Sequence, residues 1–144
     1  VRFHKRTRDN QAVYTGVKGE RMRQLWRLIP PCCGFTIPVR ATPKKRHDKK
    51  GHTPLSTFVF EREVVAPIAG EAWGQAPTPR LVGLIIEFYF FDREPDQSNA
   101  LKSIEDGMNG VVLVDDAKIK YSEVCMIQCT SKAYERVEVQ ILVM

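Results

Sequence analysis

Residues 95–119 read PDQSNALKSIEDGMNGVVLVDDAKI, and this stretch decides the fold. Its first half predicts a helix over about Ser98 to Met108, with Leu101, Ile104 and Met108 along one side. Asn109-Gly110 ends that helix, as a residue pair tolerant of unusual backbone angles should. Val111 to Val114 then lead into Asp115-Asp116 and a new strand. An acidic residue, Asp96, thus stands just before a helix, Lys102 lies inside it, and an acidic pair follows on the far side. The helix and its return segment are expected to bring Asp96 and Asp115-Asp116 to the same end of a sheet. Clustered carboxylate oxygens are hard ligands suited to Mg²⁺. Such an ion generates hydroxide and neutralises charge on a phosphodiester, and Lys102 is placed to stabilise the phosphate or leaving oxygen. The plainer roles of the same residues are a helix cap, for Ser98 or Asp96, and a turn at Asp-Asp.

Working outward, Leu81 to Phe91 is the clearest strand. Val82, Leu84, Ile86, Phe88 and Phe90 make one wholly apolar face, while Glu87 and Tyr89 share the other. Upstream, Thr53-Pro54 reads as an N-cap followed by proline at the first helical position. Leu55, Phe58, Val59, Val65, Ile68 and Ala72 follow the helical period, and Pro67 is expected to end or kink that helix. Two further strands, 118–129 and 133–143, are separated by Thr130 to Lys132 and predict an antiparallel hairpin. Leu25 to Ile29 reads as a short strand stopped by Pro30-Pro31, and residues 1–24 as a basic arm. The expected order is β, α, β, α, β, β. That makes residues 25–144 one α+β domain, with a small mixed β-sheet and two helices.

The 144 residues carry a net charge of +5, unevenly spread. Residues 1–50 hold 14 Lys and Arg against 3 Asp and Glu, while the remainder is acidic overall. A basic front on an acidic body points to a polyanionic partner. The candidate phosphate-binding residues are Arg40, Lys44, Lys45, Arg46, Lys49 and Lys50 in the loop, with Arg23 and Arg27 ahead of it. Phe3 and Tyr14 among the arginines permit base stacking, whereas Trp26 reads as core. No apolar run reaches membrane-spanning length. The four cysteines are not spaced for zinc, so free thiols in a reducing compartment, cytoplasm or mitochondrial matrix, are expected. There is no glycine-rich phosphate loop and no supported Cys–His pairing. His4, His47 and His52 all lie in polar, basic surroundings.

The 95–119 stretch resembles the signature of the RusA-type Holliday-junction resolvases: Asp-x-Asp-Asn-x-x-Lys, a helix ending near Asp-x-x-Asn-Gly, Val-Val, then Asp-Asp. Asp96, Asn99, Lys102, Asp106, Asn109, Gly110, Asp115 and Asp116 fall on it. The likeness covers about residues 25–144 and is weaker before the last third. It implies a small homodimeric α/β nuclease whose acidic residues hold Mg²⁺ to nick four-way DNA junctions. Asp96, Lys102 and Asp116 are then the catalytic candidates, and Asp96, Asp115 and Asp116 the metal ligands. One position departs: where the signature has its second Asp, this chain has Ser98, which removes a charge from the trio. Glu87 is a candidate substitute, and Ser98→Asp is expected to restore the ligand set. The alternative expectation is a RusA-like domain with a degenerate site. It would bind structured RNA beside other protein subunits in a large ribonucleoprotein such as an organellar (mitochondrial) ribosome.

Overall fold

The computed structural model describes residues 4–10, 16–45 and 55–144. In chain order the elements are β1 (His4–Asn10), α1 (Gly16–Leu28), β2 (Cys33–Ile37), α2 (Leu55–Val59), a π-helical stretch (Phe60–Val65), α3 (Ala66–Trp73), β3 (Val82–Phe90), α4 (Gln97–Met108), β4 (Ile119–Gln128) and β5 (Arg136–Val143). Short 3₁₀ turns, Asp116–Lys118 and Lys132–Tyr134, precede β4 and β5. Mixed sheet and helices make this an α+β fold, as expected.

The strand at the centre is β3. Its residues Val82, Leu84, Ile86, Phe88 and Phe90 are buried, and Ile85, Glu87 and Tyr89 are half-buried on the opposite face. Buried backbone must pair on both edges, because an unmatched N–H or C=O away from water costs about as much as a lost hydrogen bond. So β3 runs parallel to β4 on one side and antiparallel to β5 on the other. The five-stranded order is β1-β4-β3-β5-β2.

This order corrects the expected hairpin. The strands 118–129 and 133–143 are not neighbours; β3 lies between them. Their connection crosses the end of β3, where the Cys129 N–H donates to the Phe90 carbonyl at 2.8 Å and the Phe91 N–H to the Glu135 carboxylate at 3.1 Å. Closeness in sequence favours a hairpin, but pairing β4 with β5 would leave one edge of the most apolar strand unmatched.

One face of the sheet is covered by α4 and by the helix from Leu55 to Trp73. In α4 the buried residues are Ala100, Leu101, Ser103, Ile104, Gly107 and Met108, one helical stripe. Pro67 does not end the long helix. A proline ring clashes with the carbonyl four residues back, and here the preceding turn is widened to the π form. The Ala66 N–H accordingly bonds the Glu61 carbonyl five residues back. Gly74, at φ +67°, closes α3 by donating its N–H to the Gly70 carbonyl at 2.9 Å. The expected cap at Thr53 and first-turn Pro54 lie outside the described residues.

The other face is covered by α1, a helix beyond the two expected, and Leu25 to Ile29 is not a strand. Residues 20–28, ERMRQLWRL, contain no β-branched side chain and nearly all favour helix. The signal is weak because the stripe is almost a single residue. Trp26 is fully buried, stacked on Tyr121 with ring centroids 6.1 Å apart and planes 7° off parallel. Trp26 is therefore core, as its sequence context suggests. Residues 4–10, placed by sequence in an arm, pair as β1 with β4 from His4↔Gln128 to Asn10↔Ser122. Among the described residues no helix is long and apolar enough to cross a membrane.

Candidate functional site

The N-terminus of α4 is built around Asp96. It is the N-cap, in extended conformation, and its carboxylate accepts the Asn99 N–H and the Ser98 hydroxyl, both at 2.9 Å. The backbone bond from Asn99, then the hydroxyl of Ser98, hold its carboxyl below the usual aspartate range. Ser98 is therefore not the cap; it lies in the first turn and donates back to the residue that is.

Further along α4 the charges alternate. Lys102 Nζ contacts Asp116 Oδ2 at 2.8 Å and Asp106 Oδ1 at 3.2 Å. The other oxygen of Asp106 binds Lys44 Nζ, which also reaches Glu61 Oε1 at 3.3 Å. Glu61, Lys44, Asp106, Lys102 and Asp116 thus form one chain of opposite charges. It joins the π-helical stretch, the 40–45 segment, α4 and the approach to β4. The Lys44 N–H also donates to the Asn99 carbonyl at 2.9 Å, which ties the 40–45 segment to the start of α4.

The ionisation of these groups follows their partners. The hydrogen bond to Asp116 raises the Lys102 pKa despite partial burial, with Asp106 adding to the shift. In return Lys102 holds Asp116 below its ordinary value. Burial alone would lower Lys44, but Asp106 and Glu61 outweigh it and the pKa rises. Glu105, beside this chain, is pushed up to about 7, chiefly because burial disfavours its charge.

A groove of about 1100 Å³ opens between the 40–45 segment and the start of α4, lined by Arg40, Lys44, Lys45, Arg93, Asp96 and Lys102 among others. Arg40 is held by Glu135 at 3.0 Å. Among the described residues the side chains of Lys45 and Arg93 have no carboxylate partner.

The structure divides the residues singled out by sequence. Arg40, Lys44 and Lys45 share the groove wall with Asp96 and Lys102. Arg23 and Arg27 lie on α1, across the sheet, where Arg23 pairs with Glu20 at 3.4 Å and Arg27 donates to the Tyr121 hydroxyl at 3.4 Å. Arg46, Lys49 and Lys50 are outside the described residues. Asp115 caps the 3₁₀ turn before β4, accepting the Ala117 N–H at 3.0 Å. Glu87 lies on the face of β3 turned away from α4, paired in register with Glu138, so it does not stand in for the missing acid.

Asp96, the N-cap of α4, shares the groove wall with Lys102, and Lys102 contacts Asp116 at 2.8 Å. Asp96 follows the end of β3 and Asp116 precedes the start of β4, strands that run parallel from Val82↔Ile119 to Phe90↔Gln128. A crossover between parallel strands enters its helix at one end of the sheet and leaves at the other. Sequence reasoning missed the structural part of Asp106 and Glu61. For Asp106 a signal existed, its i,i+4 spacing from Lys102; for Glu61 there was none, since its partner Lys44 is distant in sequence.

An α+β domain whose βαβ crossover carries Asp96, Asn99, Lys102 and Asp116 beside a basic groove has the parts of a nucleic-acid-processing protein. Residues 37–142 match the endodeoxyribonuclease RusA family, and the chain belongs to that family. No curated protein matches the chain. Resolvases of this family in general act on branched DNA, dimerise and depend on a divalent metal. The residues present form no three-ligand protein site for such an ion. Among the described residues no three Asp, Glu, His or Cys side chains come close enough to share one. The space between Asp106 and Asp116 already holds the Lys102 ammonium, and Asp96 is engaged by its own helix.

Proposed function

We propose that this RusA-family chain binds branched or structured nucleic acid along the groove between the 40–45 segment and α4, and that binding outweighs cleavage in what it does. The observation that carries this reading is the pair of exposed cations, Lys45 and Arg93, in a groove whose Asp96 carboxylate is taken up by the first turn of α4. Arg40 and Lys44 are oriented by Glu135 and by Asp106 with Glu61, so they present fixed positive charge instead of mobile side chains. Phosphates are the natural ligand of such a surface, and they set position without reading sequence. On the catalytic side, Ser98 brings no charge, and the Lys102 ammonium neutralises Asp116 where a metal would otherwise be drawn.

The test is equilibrium binding of a four-way DNA junction, a linear duplex and a structured RNA of equal length across a salt series. The Lys45→Glu/Arg93→Glu variant is expected to weaken binding regardless of sequence and to flatten the slope of log K against log salt by about 2. Unchanged affinity would overturn the groove assignment. The same junction with Mg²⁺ tests the second half: nicking that vanishes in Asp116→Asn would establish an active metal centre and reject the binding-only reading.

A further inference from the structure

The turn that carries the chain from β4 to β5 crosses the same end of the sheet from which the 91–96 wall of the groove departs. It is tightly held. Ser131 Oγ accepts the Ala133 N–H at 3.2 Å, and the Ser131 and Lys132 carbonyls accept the Tyr134 and Glu135 N–H groups, both at 3.1 Å. Arg136 Nη1 donates to the Tyr134 carbonyl at 3.0 Å, and its guanidinium lies 3.7 Å over the Tyr89 ring. Glu135 fastens the turn to the groove: one carboxylate oxygen accepts Arg40 Nη1 at 3.0 Å and the Phe91 N–H at 3.1 Å. Tyr134 projects from this framework with 43% of its surface exposed, and neither its ring nor its hydroxyl has a partner among the described residues.

We propose that Tyr134 is a stacking platform for an unpaired nucleobase, placed next to phosphates held by the basic groove. This rests on the nucleic-acid reading above and extends it from backbone contact to a base contact. Three features favour a base over an apolar protein side chain. Cations surround Tyr134: Lys132 on the turn, Arg136 behind it and Arg40 bonded to Glu135. The acid on the turn, Glu135, is already bonded to Arg40 and Phe91, so it offers the incoming phosphodiester little repulsion. The backbone is fixed before binding, so little ordering is needed when a flat ring docks. An aromatic beside a cationic track is how single-stranded segments are held without sequence preference, since every base has a face to stack. Gaps, and branch points opened on binding, expose such bases and continuous duplex does not. Tyr134 would therefore contribute to selecting structured over linear substrate.

The experiment uses the full chain with three oligonucleotides: a gapped DNA carrying 2-aminopurine at one unpaired position, the matched continuous duplex, and a four-way junction. Tyr134→Ala is expected to weaken binding to the gapped DNA and junction by about 10-fold or more. The same variant should leave duplex affinity within twofold and abolish the 2-aminopurine quench. Tyr134→Phe is expected to retain both. The side chain is exposed and its backbone bonds are made by main-chain atoms, so the thermal midpoints of these variants should match the parent. If Tyr134→Ala leaves gapped-DNA affinity and quench unchanged while Lys45→Glu/Arg93→Glu weakens all substrates, the platform is refuted and the groove stands. Equal losses on duplex and gapped DNA also refute it. If neither Tyr134→Ala nor Lys45→Glu/Arg93→Glu changes any affinity, both fail together, and a protein partner at Tyr134 becomes the reading to pursue.

Discussion

The two faces of the sheet are sealed in different ways. Beneath α4 and the long helix, Leu84, Ile86, Phe88, Phe90, Leu101, Ile104 and Met108 belong to one continuous apolar cluster with strand residues from every side. Across the sheet, α1 is held by a satellite cluster centred on Trp26, Tyr121 and Leu142. Both faces use a glycine for close approach. A methyl group at Gly107 would sit 2.5 Å from a Val65 carbon and 3.1 Å from the Glu61 carbonyl, and one at Gly83 would sit 2.9 Å from the Trp26 ring. The first face distributes its stability over many side chains, whereas the second concentrates it in one indole. The charged chain and the groove border the first face, where positions are most firmly set, as a surface that must hold phosphates in fixed places requires.

Trp26→Ala therefore probes the contrast hardest. Removing a buried indole costs about 3–5 kcal/mol. In this chain the loss should fall on one element: hydrogen exchange is expected to open across α1 while α4 stays protected. Uniform loss of protection would mean that the two faces are one cooperative unit. Gly107→Ala strikes the other side. Its neighbours include backbone and a β-branched side chain, so relief requires moving α4 away from the π-helical stretch, at about 1–3 kcal/mol. A urea midpoint equal to the parent's would show that the inner interface is looser than these distances imply.

Acidity separates the faces further, through Glu105. Its pKa is raised from 4.5 to about 7 on folding, so the folded state binds the proton more tightly than the unfolded chain. Stability contributed by this group is present at low pH and is lost as pH rises from about 4.5 through about 7, leaving a penalty above that range. Glu105→Gln should remove the penalty, stabilising the protein by about 3 kcal/mol at pH 8 and by almost nothing at pH 4. Thermal melts at the two pH values check this, and an equal gain at both would assign the effect to packing. The smallest effect is expected from Ser98→Asp. A carboxylate in the first turn favours the helix dipole by about 0.3–1 kcal/mol. Because the Lys102 ammonium already neutralises Asp116, millimolar Mg²⁺ should not shift the melt of this variant further. A Mg²⁺-dependent rise would bring the acidic trio back.

Much of the inner layer was legible because its signals are periodic. The five alternating apolar residues of β3 and the Leu101, Ile104 and Met108 stripe of α4 each predict an element and the face it buries. The family signature was legible for a related reason: it lies in one continuous stretch, 95–119, with spacing set by a single crossover. The first helix was not, because one tryptophan makes no period. Nor was the long helix's passage through Pro67, since nothing local indicates that a widened turn will absorb the ring.

By itself the sequence determined the α+β class, the central strand, the crossover helix with its Asp96, Lys102 and Asp116, and the basic character of the first fifty residues. These follow from local propensity, period and composition. Tertiary structure alone decided that β3 separates β4 from β5, that Trp26 folds α1 over the second face, and that Lys44 closes on Asp106 from a distant part of the chain. The physical reason is common to all three: each depends on which buried strand edge, apolar face or charge finds its partner from far along the chain, and no short window of sequence contains both partners.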